Sequence, residues 1–390
     1  MSTVPELLAT MRPTIAYVDL DAYARNIERL SRDLPEGSRL IVVLKADGYG
    51  HGAVELARQC EKSGVAMLAV ALLEEALELR QAAVNLPILV LGALTETQIP
   101  LAVENGLVQG IVGPEQLRDA VSFARASGRS FPVHLKLDTG MGRVGLIESD
   151  LDEVVRLLRE ASAIQVEGIY THFSAASDPG HPLTAIQQER FSSWTARLRE
   201  GGVSAPLHHV ANSAAAVQGL VAPGDFVRVG MTLLGGETLD RGDSRLEPVM
   251  TWTTRVMRLK EVPEGSYIGY GAAFQTTRPS RIATLPIGYA DGFNRLLSNK
   301  GAVLIRGHRA PVAGRVSMDL VSVDVTDIAG VETGDEAVVI GQQGNDRIAV
   351  EEVARQVGTI PYEVFCSVSS RVPRVYRSSG IERLRSKFIP

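Results

Sequence analysis

The chain of 390 residues is predicted to fold as a (β/α)8 barrel followed by a mostly antiparallel β domain. Two observations predict the barrel: eight short apolar segments recur over roughly 200 residues, and amphipathic stretches separate most of them. A third observation predicts the β domain, because alternating strand-like segments dominate from Leu246 onward. We therefore expect an N-terminal strand in residues 1–20, a barrel in 21–245 and a β domain in 246–390.

The first elements follow from local signals. Arg12–Leu20 is predicted to be a strand, and Asp21 can cap a helix that runs to about Arg32. Pro114–Gly128 illustrates the barrel helices, since proline is favoured where a helix begins and glycine just beyond its end. The predicted barrel strands are Leu40–Leu44, Met67–Ala71, Pro87–Gly92, Val108–Val112, Val133–Asp138, Val166–His172, Leu207–Val210 and Phe226–Val229.

The second half begins after a change of composition. Gly236–Arg245 is rich in glycine and charge and is predicted to be a linker. One short helix is predicted, over Val350–Gly358. The predicted strands of the β domain are Val249–Val262, Arg281–Gly288, Ala302–Ile305, Met318–Val325 and Glu336–Ile340.

Composition excludes several classes of function. A formal charge of −5 and a pI near 5.9 argue against a nucleic-acid surface. The longest apolar run, Gly64–Leu73, is about half of what a membrane span needs, and Met1–Asp21 does not resemble a secretory signal. Cys60 and Cys366 lie far apart without metal-ligand spacing. We expect no disulfide framework, no metal site and a reducing cytoplasm.

The most informative stretch is the predicted strand that ends at Lys45. Five apolar residues lead directly into this lysine, and Ala-Asp-Gly-Tyr-Gly-His-Gly follows it. A lysine at the end of a buried strand can extend its amine to the surface. Alternatively, a partly buried amine of lowered pKa is suited to form a Schiff base.

The segment Lys45–Gly52 (KADGYGHG) resembles the cofactor-lysine segment of alanine racemases, enzymes of fold type III that use pyridoxal phosphate (PLP). The resemblance implies that Lys45 carries PLP as an imine and that Tyr49 hydrogen-bonds the phosphate. Further family segments recur in the same order through Arg374, so the resemblance covers nearly the whole chain.

Two further family segments end predicted barrel strands. In His134–Gly145 (HLKLDTGMGRVG) the resemblance places Arg143 beside the cofactor and the substrate carboxylate, and Lys136 matches a lysine that is carbamylated in many members. His172 is expected to stack on the pyridine ring. From the residues alone, Lys136 is also compatible with an exposed strand position and His172 with a satisfied core group.

The last two barrel strands supply the expected phosphate site. Asn212 and Ser213 match phosphate-binding positions, although both can also cap the next helix. Gly230 and Met231 match backbone phosphate ligands. Arg228 is expected to face the pyridine nitrogen, and because a guanidinium cannot accept that proton, the site should favour simple proton removal and return over transamination.

The β domain is expected to supply the second base. Ile268–Gly271 matches the catalytic tyrosine segment, which places that role on Tyr270, although a packed loop aromatic is the alternative from the residues alone. Tyr289 and Met318 are expected to line the substrate entrance, and Tyr362 the phosphate side. Ser317 departs from the family pattern, where cysteine is frequent, and this affects only the pocket wall.

The resemblance implies an alanine racemase that interconverts L- and D-alanine, with Lys45 and Tyr270 as bases on opposite faces. It implies a homodimer in which the β domain of one subunit completes the barrel site of the other, and a role in supplying D-alanine for peptidoglycan. The alternatives are a broad-specificity amino-acid racemase, a fold-type III PLP decarboxylase and a PLP-carrier protein.

Overall fold

The computed structural model describes residues 4–236 and 246–387, with twenty-one β-strands in those ranges. Eight of them form a parallel sheet in the order β8-β7-β6-β5-β4-β3-β2-β9. These strands are β2 (Arg39–Val43), β3 (Met67–Val70), β4 (Ile88–Val90), β5 (Val108–Ile111), β6 (Phe131–Lys136), β7 (Ile164–Tyr170), β8 (Leu207–His209) and β9 (Phe226–Val229).

The ends of this sheet meet and form a nearly closed barrel. The Arg228 N–H donates to the Ala211 carbonyl, 3.0 Å away, and so joins the segment after β8 to β9. The strands read as continuous apolar runs because side chains on both faces are buried, as in other all-parallel sheets. The helices of this half are Leu20–Asp33, Ala53–Lys62, Leu73–Gln81, Ile99–Glu104, Pro114–Ser127, Leu151–Arg159, Pro182–Glu200 and Ser213–Val217, preceded by Val4–Ala9.

The second half forms a mostly antiparallel domain. Its largest sheet contains β1 (Ile15–Asp19), β10 (Met250–Arg255), β15 (Ala302–Ile305), β16 (His308–Pro311), β18 (Glu336–Gln343), β19 (Asp346–Ile348), β20 (Arg374–Ser378) and β21 (Ile381–Arg385). β1 lies between β10 and β20 and pairs with β20 in parallel. Smaller sheets contain β11 (Arg258–Val262), β14 (Ser280–Leu285) and β17 (Val321–Asp324), and β12 (Tyr267–Ile268) with β13 (Phe274–Gln275). The predicted fold class is confirmed.

Several element predictions in the β domain are wrong. The expected strand Val249–Val262 is two strands in different sheets, because the Val256 N–H bonds to Asp335 while the Met257 N–H bonds to Thr284. A continuous alternating pattern does not show where a chain changes its pairing partner. The expected strand Met318–Val325 begins only at β17, since the Met318 carbonyl instead accepts from Ala290 in a turn.

The prediction of a single helix in the second half is also wrong. Beside Val350–Val357, a second helix spans Pro361–Ser367, with proline in its first turn. The predicted linker Gly236–Arg245 lies, apart from Gly236, outside the described residues. In the described parts of the chain, no helix has both the length and the apolar character that crossing a membrane requires.

Candidate active site

A cavity of about 1240 Å³ opens at the carboxyl ends of the barrel strands. Barrel enzymes place their active sites at this face. The cavity is lined by every residue that the sequence analysis assigned to the cofactor, together with the candidate carbamylated lysine. They are Lys45, Tyr49, Lys136, Arg143, His172, Asn212, Ser213, Arg228, Gly230, Met231 and Tyr362.

Lys45 begins a backbone turn of unusual conformation. Ala46, Asp47, Gly48 and Tyr49 have φ values of 52°, 53°, 61° and 53°, all in the left-handed region. The Gly48 N–H donates to Leu44 and the Gly50 N–H to Ala46, both at 2.9 Å, so the segment forms a left-handed helical turn. This turn follows β2 directly and places both Lys45 and Tyr49 on the cavity wall.

The two lysines of the cavity have depressed pKa values. Burial, and next the guanidinium of Arg143, lower the pKa of Lys45. Burial, Arg143 and Arg228 lower the pKa of Lys136 to about 8. Cations that lie close together in a partly buried site disfavour one another's charged forms, so both amines hold a larger neutral fraction than a surface lysine.

Asp138 organises the loop that carries Arg143. Its Oδ1 accepts from the Gly140 and Gly142 N–H groups at 3.1 and 2.9 Å, and its Oδ2 accepts from the Arg143 N–H at 2.9 Å. Burial would raise the pKa of Asp138, but these backbone donors outweigh it and lower the pKa. The carboxylate therefore stays charged and holds Arg143 at the cavity rim.

Arg228 forms the floor of the cavity and is 5% exposed. Its Nη1 donates to His209 Nδ1 at 2.9 Å and to the His209 carbonyl, and its Nη2 donates to Thr171 O at 2.5 Å and to His172 Nδ1 at 3.3 Å. All its hydrogen bonds to described residues use Nη1 and Nη2, so the Nε–H has no hydrogen-bond partner among them. Burial lowers the pKa of Arg228 to about 10, so the guanidinium remains charged at neutral pH.

A buried pair of histidines supports Arg228 from below. A guanidinium only donates hydrogen bonds, so His209 Nδ1 accepts and its Nε2 carries the proton. That Nε2–H then donates to His134 Nδ1, 2.8 Å away. Tyr170 stacks on the His209 ring with a centroid separation of 4.6 Å and an interplanar angle of 7°. Burial is the main cause that lowers the pKa values of His134, to about 4, and of His209.

His134, His209 and Tyr170 were not identified from the sequence as residues that support Arg228. His134 and Lys136 are two residues apart on β6 and both line the polar interior, a period-two placement of polar side chains in an apolar strand. That pattern was the available signal for His134. His209 and Tyr170 carried no comparable signal, since each could equally have been a satisfied core residue.

The far end of the cavity is suited to an anion. A Cβ atom at Gly230 would lie 2.6 Å from the Tyr49 hydroxyl, so that hydroxyl sits directly over the Gly230 backbone. The Gly230 N–H donates to Ser213 Oγ at 3.2 Å, and Tyr362 packs edge-on against Tyr49 at 5.7 Å. Asn212 caps its helix through Oδ1 and donates to Phe173 O through Nδ2, which supports the capping interpretation.

These residues fit pyridoxal phosphate. Lys45, an amine of lowered pKa, lies at one end of the cavity. The Tyr49 and Ser213 hydroxyls and the Gly230 backbone lie at the other end. The charged Arg228 and the neutral His172 lie between them. Burial, with Arg228, lowers the pKa of His172 to about 3, so its ring is uncharged at neutral pH.

Three candidate residues lie elsewhere. Tyr270, Met318 and Tyr289 are 71%, 53% and 42% exposed on the β domain. Within the parts of the chain that the structure describes, none of the three lines the Lys45 cavity. Their loops lie close together. Gly288, which precedes Tyr289, packs against Met318, and Gly269, which precedes Tyr270, packs against Arg315.

Comparison with known proteins identifies the family of both halves. Residues 18–238 match the N-terminal domain model of alanine racemase, and residues 249–376 match the C-terminal domain model. The chain is 41% identical to alanine racemase 2 of Caldanaerobacter subterraneus, over 95% of this chain and 96% of that protein. It is also 41% identical to the alanine racemase of Methanococcus maripaludis, over 93% and 98% of the two chains.

Solved structures agree with the sequence comparison. The alanine racemase of Bacillus anthracis with bound L-Ala-P superimposes with a TM-score of 0.89 at 34% identity, covering 97% of this chain and 98% of the other. The alanine racemase of Clostridium difficile gives a TM-score of 0.90 at 34% identity, covering 97% and 100%.

Proposed function

The chain belongs to the alanine racemase family, PLP-dependent isomerases that interconvert L- and D-alanine, and on that premise we propose which of its residues carry the reaction. The observation that supports the assignment is the shared cavity: eleven residues chosen from six separate segments of sequence line one space at the barrel mouth.

The proposed cofactor site follows the chemistry of the cavity. When bound, PLP supplies an electron sink that acidifies the Cα–H of an amino acid joined to it. Lys45 would hold the aldehyde end, and the Tyr49 and Ser213 hydroxyls would hold the phosphate end, with the Gly230 and Met231 backbone and Tyr362. Asn212 helps indirectly by capping the helix that begins at Ser213.

Arg228 and His172 set the position and the electronic character of the ring site. Arg228 would offer its Nε–H to the ring nitrogen of the cofactor and, because a guanidinium cannot accept a proton, would leave that nitrogen unprotonated. His172 keeps its own ring neutral and accepts from Arg228 through Nδ1, so its face is free to lie against the cofactor. Such a site favours return of the proton to Cα over transamination.

In the two-base mechanism that we propose, one base acts on each face of Cα. We assign Lys45 Nζ to one face, since its lowered pKa makes the neutral amine accessible. We assign Tyr270 Oη to the other, together with Met318 and Tyr289 at the entrance and Arg143 beside the substrate carboxylate. Tyr270 is exposed and does not line the cavity of its own chain, so in this proposal a second copy supplies it to the site. An isologous homodimer would then form two equivalent sites.

Lys136 is proposed to be carbamylated. Only a neutral amine reacts with carbon dioxide, and a pKa lowered to about 8 supplies a substantial neutral fraction. The product is an anion placed among Arg143, Arg228 and Lys45, and it replaces cationic repulsion with attraction. It would thereby orient Arg143 toward a substrate carboxylate.

We further propose that the enzyme acts in the cytoplasm and supplies D-alanine for peptidoglycan, which is the role usual in the family. Cys60, which is buried, and Cys366, which is exposed, are both free thiols.

The test incubates the purified protein with PLP and a panel of L-amino acids, followed by chiral analysis. We expect D-alanine as the principal product, and none from Lys45→Ala protein. Comparable D-products from many amino acids would indicate a broad-specificity racemase, and release of carbon dioxide would indicate a decarboxylase. PLP binding without any product would indicate a carrier. Each of these three results would overturn the proposed specificity or activity.

A further inference from the structure

The turn between Lys45 and Tyr49 is held in a conformation that its own residues do not favour. Ala46, Asp47 and Tyr49 have positive φ and are not glycine, a conformation that L-residues rarely adopt and almost never in succession. Such a segment persists only where surrounding contacts over-determine it. The contacts that hold the turn in this conformation therefore help to position the residues of the proposed site.

Two arginines from the C-terminal hairpin β20–β21 hydrogen-bond to this turn. Arg374 donates from Nε and Nη2 to the Gly50 carbonyl at 3.0 and 2.9 Å. Arg385 donates from Nη1 to both carboxylate oxygens of Asp47, at 2.6 and 2.8 Å. Asp47 in turn accepts the Ala53 N–H at 2.9 Å, which connects the ion pair to the start of the next helix.

Arg374 is itself fixed in position by further hydrogen bonds. Arg374 is only 6% exposed, and its Nη atoms also donate to the carbonyls of Val368, Ser369 and Val372. The guanidinium therefore cannot follow the turn if the turn moves. β20 also pairs with β1 in the large sheet of the β domain, so the turn is tied to that sheet.

The barrel side supplies one further contact. Glu75 accepts the Ala46 N–H at 2.6 Å through Oε1, and the Ala71 and Leu72 N–H groups at 2.8 and 3.0 Å through Oε2. The left-handed turn is thus held from the neighbouring strand end on one side and from the hairpin on the other.

We propose that Arg374 and Arg385 are positioning residues that keep the left-handed turn formed and so aim Lys45 and Tyr49 into the cavity. The inference rests on the proposed function, because Lys45 and Tyr49 are the residues assigned to the two ends of the cofactor. If the turn relaxed toward right-handed backbone, the side chains at both of its ends would change direction together.

The experiment compares Arg385→Ala with Arg377→Ala in the full-length protein. Arg377 lies on the same hairpin and is exposed, but it pairs with Glu382 at 2.9 Å and stacks on Tyr17 at 3.8 Å, away from the turn. Amide hydrogen exchange is measured at Gly48, Gly50 and Gly52, whose N–H groups bond within the turn, and PLP affinity is measured by absorbance titration.

We expect Arg385→Ala to speed exchange at these glycines and to weaken PLP binding by about threefold to tenfold, the scale of coupling between contacting groups. Arg385→Lys keeps the charge but has a single amine, which cannot contact Asp47 through one nitrogen and Glu78 through another, so it should give an intermediate value. Arg377→Ala should match the unsubstituted protein in both measurements, and all three variants should show similar melting temperatures.

Equal exchange at the glycines in Arg385→Ala and Arg377→Ala would overturn the proposal, whatever the PLP affinity. Faster exchange with unchanged PLP affinity would also overturn it, since the turn would then not aim the cofactor residues. Failure of the proposed function looks different, because borohydride reduction of the unsubstituted protein would label a lysine other than Lys45.

Discussion

The barrel mouth and the outer face of the β domain present candidate catalytic groups in opposite surroundings. At the barrel mouth, Arg228 is buried and bonded to two histidine rings and to three backbone carbonyls at the ends of barrel strands, so one chain fixes its orientation. On the β domain, Tyr270 is 71% exposed and Met318 is 53% exposed. Their loops are held through backbone bonds, such as Tyr289 N–H to Ser317 O at 3.1 Å.

The difference is consistent with the proposal that one chain organises the cofactor site and a second copy supplies the other base. Buried polar groups are held by their partners because leaving one unpaired is costly. Exposed aromatic and apolar side chains, here joined by Leu320 at 40% exposure, are instead typical of surfaces that another protein covers. The barrel mouth is thus preorganised, whereas under the proposed homodimer the β-domain face would complete a site only against a second copy.

The first prediction, which has the largest expected effect, removes Lys45 from the barrel mouth. Lys45→Ala deletes both the cofactor anchor and one proposed base, so racemisation should fall by more than about ten-thousandfold. Borohydride treatment followed by peptide mass analysis should find a pyridoxyl adduct on Lys45 in the unsubstituted protein and none at this position in the variant. An adduct on another lysine in the unsubstituted protein would show that the anchor is misassigned.

The second prediction removes the Tyr270 hydroxyl from the β domain. Tyr270→Phe keeps the ring but loses the hydroxyl, and racemisation should fall about a hundredfold to ten-thousandfold in both directions. Exchange of the α-proton with deuterated solvent should persist from D-alanine, through Lys45, and nearly vanish from L-alanine. Equal exchange from both enantiomers would mean that a single base serves both faces.

Mixing the two inactive variants tests whether the two regions meet across subunits. In a heterodimer of Lys45→Ala and Tyr270→Phe chains, one of the two shared sites is intact, so random exchange should restore about a quarter of the unsubstituted activity. Each variant alone, carried through the same exchange, is the control. No recovery despite proven subunit exchange would place both bases in one chain.

The next prediction concerns Arg228, at the floor of the barrel site. Arg228→Glu replaces a donor with a group that can share a proton with the cofactor nitrogen, so racemisation should slow by about a hundredfold. Spectra recorded with alanine should show a new long-wavelength absorption. The same spectrum and rate as the unsubstituted enzyme would remove Arg228 from this role.

The smallest effect concerns stability and contrasts buried histidines with an exposed one. Burial lowers the pKa values of His51 and His134 to about 4, below the value near 6.5 of an unfolded histidine. Between pH 6.5 and 4 the unfolded chain therefore binds more protons, and the free energy of unfolding should fall as the pH falls, by about 1.4 kcal/mol per pH unit for each histidine.

Urea unfolding of the full-length protein at several pH values measures this dependence. His134→Gln should lower the slope of the free energy of unfolding against pH by the contribution of one histidine. The matched change at an exposed position, His308→Gln, should leave it unchanged. If the two variants have the same pH dependence, burial of His134 is not its source.

Much of the fold could be predicted because its signals are local. The strand before Lys45, the helix near Pro114 and the spacing of apolar runs in the barrel need only side-chain periodicity and terminal residues. Val256 and Met257 show the limit, since adjacent residues of one continuous pattern bond to different sheets. Pairing partners are distant in sequence, so no local pattern reports them.

For the candidate site, the sequence by itself determined which residue types stand at the ends of the barrel strands, from Lys45 to Arg228. Tertiary structure alone decided how they are oriented. The left-handed turn at Ala46–Tyr49 depends on Arg374 and Arg385, more than three hundred residues away. The tautomer of His209 depends on Arg228 and His134. Residue type is a local property, whereas orientation is set by hydrogen bonds between segments that only folding brings together.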